Sequence, residues 1–265
     1  MKRSVLWITL LAVLSFAQAA MAADDAPQLL PGKAFALQFP DMPPTLRDQL
    51  SGSDAKAMMT VFLPANYDAT HKFPLLVFLT GDDGGTGGTV VTARHVSEDK
   101  DFVCVNLPFF TTQTHPKGGS MPQIADEDGK TIWPLYKTML AKLTQAVPNI
   151  DPAHRIIGGF SNGAHTIQVL IDSTDGEMPN WFSAFFFVEG GGRTQRFDLI
   201  KGKPMLLCYG DKNGDKGRAR VNEICAAAMA AGVLATTHEM KDTAHAFPPS
   251  EFPAVERWLR EVALK

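Results

Sequence analysis

Five residues, Gly159-Phe160-Ser161-Asn162-Gly163, hold most of the chemistry legible in this 265-residue sequence. A serine hydroxyl becomes a catalytic nucleophile when it is held on a sharp strand-to-helix turn, and such a turn needs small neighbours so that the backbone can fold back on itself. Gly159 and Gly163 meet that need. Upstream, Asn149-Ile-Asp-Pro152 reads as a turn, followed by the apolar pair Ile156 and Ile157. Downstream, Ala164, Ile167, Gln168, Leu170 and Ile171 suit a helix packed on a sheet. The plainer alternative is a glycine-rich turn whose serine only caps the helix.

A serine nucleophile requires a base to take its proton. His245 is the candidate, in Asp242-Thr-Ala-His-Ala-Phe-Pro248, a loop expected after the last strand. His238 is expected within that strand. His165 lies one helical turn beyond Ser161 and is carried away from the hydroxyl. His71, His95, His115 and His154 precede the serine and read as surface or core residues. A third requirement is a pair of amides for a developing oxyanion. Thr80-Gly-Asp-Asp-Gly-Gly85, continued by Thr86-Gly-Gly88, offers one near Asp82, and Asn162 offers the other. Neither a phosphate-binding G-x-x-x-x-G-K-[ST] nor a dinucleotide G-x-G-x-x-G follows.

The elements that would position these groups alternate along the chain. Strands are expected at Lys33–Phe39, Ala57–Leu63, Phe73–Leu79, Asp101–Leu107, Arg155–Gly158, Ala184–Val188, Met205–Tyr209 and Ala235–Met240. Several are unbroken apolar runs, as parallel strands covered on both faces must be. Helices are expected at Ile132–Val147, Asn162–Ser173, Arg218–Ala231 and Pro253–Leu264. The alternation predicts an α/β domain with a mostly parallel, doubly wound sheet. The irregular stretch Phe109–Gly129 is placed to shape a ligand pocket, and Phe109, Phe110, Trp133 and Trp181 read more readily as core than as ligand contacts.

Lys2 and Arg3, the apolar run Val5–Ala17 and Ala20-Met21-Ala22 have the form of a secretory signal peptide over residues 1–22. An exported domain over 23–265, periplasmic or extracellular, is the corresponding expectation, with no membrane span after the leader. A net charge of −3 with 20% charged residues carries no nucleic-acid footprint and favours a small neutral or mildly polar partner. Of three cysteines, Cys104 and Cys208 fall in apolar strands and read as buried thiols. A Cys208–Cys225 disulfide stays open.

Taken together, Val61-Phe-Leu-Pro-Ala-Asn-Tyr67, Phe73–Leu79 with its glycine loop, Asp151–Gly163 and His245 resemble the α/β-hydrolase superfamily. Within it they resemble the secreted esterases that include feruloyl and acetylxylan esterases and polyester depolymerases. The resemblance covers about Ala57 to Leu264. It implies hydrolysis of a small-molecule, oligosaccharide or polyester ester through a Ser161 acyl intermediate, without a cofactor or metal. Thr80-Gly81 stands where the family usually has His-Gly. The family's acid follows the seventh strand as Gly-x-x-Asp, whereas Tyr209-Gly-Asp-Lys-Asn-Gly-Asp215 puts Asn213 in that slot. Asp215 is the favoured substitute, because a loop absorbs a two-residue offset. Asp211, Asn213 and Glu189 at the end of the sixth strand are the alternatives, and capping of the next helix is the other reading of Asp215. Two rival functions follow from the same residues. One is a non-catalytic, hydrolase-like binding protein with a degenerate acid. The other is calcium binding by Asp211-x-Asn213-x-Asp215, which lacks the glycine and glutamate of an EF-type loop. His238-Glu239 and His245 miss the spacing of a zinc protease.

Overall fold

Apolar side chains that alternate between two faces build the centre of the molecule. In the computed structural model, which describes residues 27–43, 57–81, 89–110, 126–191 and 194–265, eight strands form one sheet. They are β1 (Ala34–Phe39), β2 (Ala57–Phe62), β3 (Phe73–Leu79), β4 (Val103–Asn106), β5 (Ile150–Phe160), β6 (Ala184–Val188), β7 (Pro204–Gly210) and β8 (Leu234–Met240). Their order is β1-β2-β4-β3-β5-β6-β7-β8. The pairs β1–β2 and β2–β4 are antiparallel, and all later pairs are parallel. β8 is thus one edge of the sheet and β1 the other.

Period-two alternation explains why both faces are covered. Leu75, Val77, Phe185 and Phe187 point into one core, with residues of α2 (Asp126–Ala146), α3 (Asn162–Ser173) and α5 (Gly214–Ala230). Leu76, Phe78, Phe186 and Val188 point into the other, with residues of α1 (Val91–Val96) and α6 (Phe252–Trp258). Burying each phenylalanine of Phe185-Phe-Phe187 contributes roughly 1.5–3 kcal/mol.

Several boundaries differ from those read in the sequence. α2 starts at Asp126 rather than Ile132, and Pro134, within the expected span, lies inside it. α5 starts at Gly214 rather than Arg218, and the last helix passes into a π turn at Leu259–Ala263. Two short helices, α1 and α4 (Glu177–Trp181), were not expected. β5 begins at Ile150, inside the expected turn. The register jumps from Phe73↔Ile150 to Leu75↔Arg155, so Asp151–His154 bulge out of the ladder. Among the described residues no helix is long and apolar enough to cross a membrane. Residues 1–22, with the expected leader, lie outside the described residues.

Candidate active site

The turn from β5 into α3 is as tight as its glycines required. A Cβ on Gly159 would lie 2.6 Å from the carbonyl carbon of Gly163, and one on Gly163 would overlap the carbonyl oxygens of Leu79 and Thr80. Any larger side chain there would push α3 away from the sheet. Ser161 itself has φ 51° and ψ −116°, a conformation non-glycine residues rarely hold, so the surrounding packing fixes it. Its amide donates to the Val188 carbonyl at 2.9 Å, which ties the turn to the end of β6.

Ser161 Oγ lies 2.8 Å from His245 Nε2, across 84 positions of sequence. His245 is held by the loop after β8. Asp211 accepts from the amides of Asp242 at 2.9 Å and Thr243 at 3.0 Å, and Lys212 N–H donates to the Thr243 carbonyl at 2.9 Å. Farther along, Phe247 packs against Phe78 and Phe252 with centroids 6.3 and 4.8 Å away. The Phe160 ring lies 5.3 Å from the imidazole. Serine and histidine therefore meet where the sequence placed them.

The carboxylate facing His245 is Glu189, not Asp215. Glu189 Oε2 is 3.4 Å from His245 Nδ1, and its side chain is 6% exposed against 59% for the imidazole. It directly follows β6 with φ 54°. The Gly210 amide donates to Oε1, and Asn213 Nδ2 donates to Oε1 and Oε2 at 3.0 and 2.9 Å. Asp215 sits exposed in the first turn of α5, where a negative charge complements the helix dipole, close to its reading as a helix-end residue. The correction has a plain cause: α5 starts early and carries Asp215 into the helix, while strand pairing brings the ends of β6 and β7 together. The signal that pointed to Glu189 is a charged residue ending an unbroken apolar strand and followed by Gly190-Gly191.

Asn162 is the first residue of α3, beside Ser161 at the positive end of the helix dipole. Asp82, the other expected oxyanion contributor, lies outside the described residues. Gly81 just before it lies against the nucleophile, since a Cβ there would be 2.6 Å from the Phe160 ring and 3.4 Å from Ser161 Cβ. Phe78, Thr80, Gly81, Thr92, Phe160 and Phe247 line a pocket of about 150 Å³ next to these groups.

Two other histidines have carboxylate partners of their own. His238 Nε2 lies 2.6 Å from Glu251, and His154 Nδ1 lies 2.7 Å from Asp151. Phe109, Phe110 and Trp133 are core, and most of the irregular stretch, residues 111–125, is outside the described residues. All three cysteines are free, so Cys208 and Cys225 do not pair. Among the described residues no group of three His, Cys, Asp or Glu side chains is arranged to hold a metal.

This sheet, with its helices and its strained serine turn, is the α/β-hydrolase fold. Solved structures that it resembles include a thermostable esterase, with TM-score 0.57 and 19% identity over 86% of this chain and 62% of that one. The chain therefore spans less than two thirds of that protein. A fungal esterase from Rhizomucor miehei gives TM-score 0.57 and 13% identity over 89% of this chain and 86% of its own. Thermogutta terrifontis esterase 2, phosphoramylated by tabun, gives 0.57 and 13% over 90% and 96%. Identities this low speak to fold alone. No protein-family model matches the chain, and no curated protein matches it.

Proposed function

We propose that this protein is an exported serine hydrolase that cleaves carboxylic esters through an acyl-Ser161 intermediate. The single observation that carries the reading is the 2.8 Å approach of Ser161 Oγ to His245 Nε2, with the buried Glu189 carboxylate on the other side of the ring. His245 Nε2 takes the proton from Ser161 Oγ as that oxygen attacks the ester carbonyl carbon. Negative charge moves to the carbonyl oxygen, for which the Asn162 amide and one from the segment near Asp82 are the donors. Glu189 stabilises the imidazolium and fixes which ring nitrogen carries the proton. The imidazolium then protonates the departing alkoxide and leaves the acyl group on Ser161. A water molecule repeats the sequence, releasing the acid and restoring the hydroxyl. The 3.4 Å Nδ1–Glu189 separation is longer than a good hydrogen bond, as is common before substrate binds.

Esterases among the similar structures support this reaction class. The leader-like start of the sequence supports export, and the motif resemblance supports the feruloyl, acetylxylan and polyester branch for substrate. Glu189 beside His245 weighs against the binding-only reading, whose first ground was a missing carboxylate; its other ground, reuse of a fold without activity, is decided by assay. The expected result is hydrolysis of short p-nitrophenyl esters together with covalent labelling of Ser161 by a fluorophosphonate. Folded protein that shows neither would refute the proposal.

A further inference from the structure

In the family pattern the turn after the seventh strand supplies the acid. Here that turn is the 3-10 segment Asp211–Asn213, and it supplies something else. We propose that this turn is a brace for both partners of Ser161, with Asp211 fixing the loop that carries His245 and Asn213 fixing Glu189. The inference rests on the esterase reading of the same site.

The geometry is specific on both sides. Asp211 accepts from two consecutive amides, Asp242 through Oδ2 and Thr243 through Oδ1, three and two residues before the base. The reciprocal Lys212 N–H to Thr243 carbonyl bond closes the contact into a small ladder. A Cβ on Gly210 would overlap the carbonyl oxygens of Thr243 and Ala244, so loop and turn are also in close van der Waals contact. On the other side, the Asn213 amide and the Gly210 amide together give Glu189 three donor contacts. Glu189 holds a positive φ, and a carboxylate on a strained residue at the rim of the sheet needs such partners to stay aimed at the ring. An aspartate at 213 could not donate these bonds. That explains why an amide occupies the usual acid slot once the acid sits on the neighbouring strand. Asp211 and Asn213 are therefore positioning residues; neither touches the reacting atoms.

The test compares D211A, D211N and N213A in the full-length protein, reading kcat and KM separately and following amide exchange by NMR. D211A and N213A each lower kcat about tenfold with KM within about twofold. D211N recovers part of the loss, because its one remaining oxygen still accepts an amide. In D211A, but not N213A, the amides of Asp242 and Thr243 exchange faster. A fourth variant, N213D, moves the acid limb of the pH–rate profile to higher pH, since it adds negative charge beside His245. The other ionisable groups on the elements around that place are Glu189 after β6, Asp211 and Lys212 on the same turn, and Asp242 on the loop that carries His245. Wild-type kcat in D211A and N213A, an unmoved pH–rate profile in N213D, or unchanged exchange at residues 242 and 243 in D211A would overturn the brace. If the wild-type protein cleaves no ester and takes no fluorophosphonate, the esterase reading fails, while amide exchange still decides whether Asp211 holds the loop.

Discussion

Glu189 is the residue on which the site's chemistry turns most sharply. Its carboxylate is nearly excluded from water and has backbone and amide donors on both oxygens, so replacing it with Gln removes a charge without removing the shape. We expect E189Q to lose on the order of 10³–10⁴ in turnover at nearly unchanged KM, whereas D215A stays within about twofold of wild type. Steady-state kinetics with a p-nitrophenyl ester check both, and the reverse ranking would restore the acid to the loop after β7. Ser161 and His245 were legible because each carries a local mark: glycines that only a tight turn explains, and a late position in chain order. The acid is more weakly marked, by a charged residue closing an apolar run, a mark shared in kind by the loop acids Asp211 and Asp215. Its partner is chosen by which strand ends lie side by side, and in this sheet the Val188↔Cys208 pairing, not spacing along the chain, settles that.

At the level of elements, strands were easier to read than helices. Buried parallel strands announce themselves as apolar runs bounded by turns, and β3, β6 and α3 match the expected limits. α1 and α4 span six and five residues, too short for a 3.6-residue period to show. The start of α2 was hidden by the charged, glycine-ending run Asp126-Glu-Asp-Gly129, which read as part of the irregular stretch. One long-range tie secures the last helical segment. Asp101, which precedes β4, accepts from Arg260 Nη1 at 2.5 Å and from Asn66 Nδ2 at 2.6 Å. Its partial burial alone would raise the carboxyl's pKa, but the Arg260 and Asn66 hydrogen bonds outweigh this and leave it below the ordinary range. A depressed carboxyl stabilises the folded state above its unfolded pKa, near 3.9, and loses that contribution as pH falls through the lower folded value. D101N, which still tolerates the positive φ of 61° at this site, should melt slightly below wild type at pH 7. The gap should close on acidification below about pH 4. Calorimetry across that range tests this, and a gap that widens instead would show the tie is not ionic.

On the scale of the whole molecule, three unpaired thiols accompany a sequence expected to be exported. Burial is what would keep such thiols unpaired in an oxidising compartment. Burial pushes the Cys104 thiol up to about 12 and raises Cys208 as well, so neither forms thiolate readily. Cys225, half-buried on the mostly exposed α5, is raised by burial to a lesser extent. Native protein should therefore give up no more than one thiol to Ellman's reagent, with all three reacting after denaturation; rapid reaction of a second thiol in native protein would contradict the packing.

Among the described residues β8 ends the sheet, and an uncovered rim of paired-strand geometry is a template on which a second polypeptide can add itself. Glu239 stands on that strand with Arg218 at 2.8 Å, and His238 beside it reaches Glu251. Any incoming chain would have to strip water from fixed charges before it could zip on, so the last strand doubles as a guard against fibre growth.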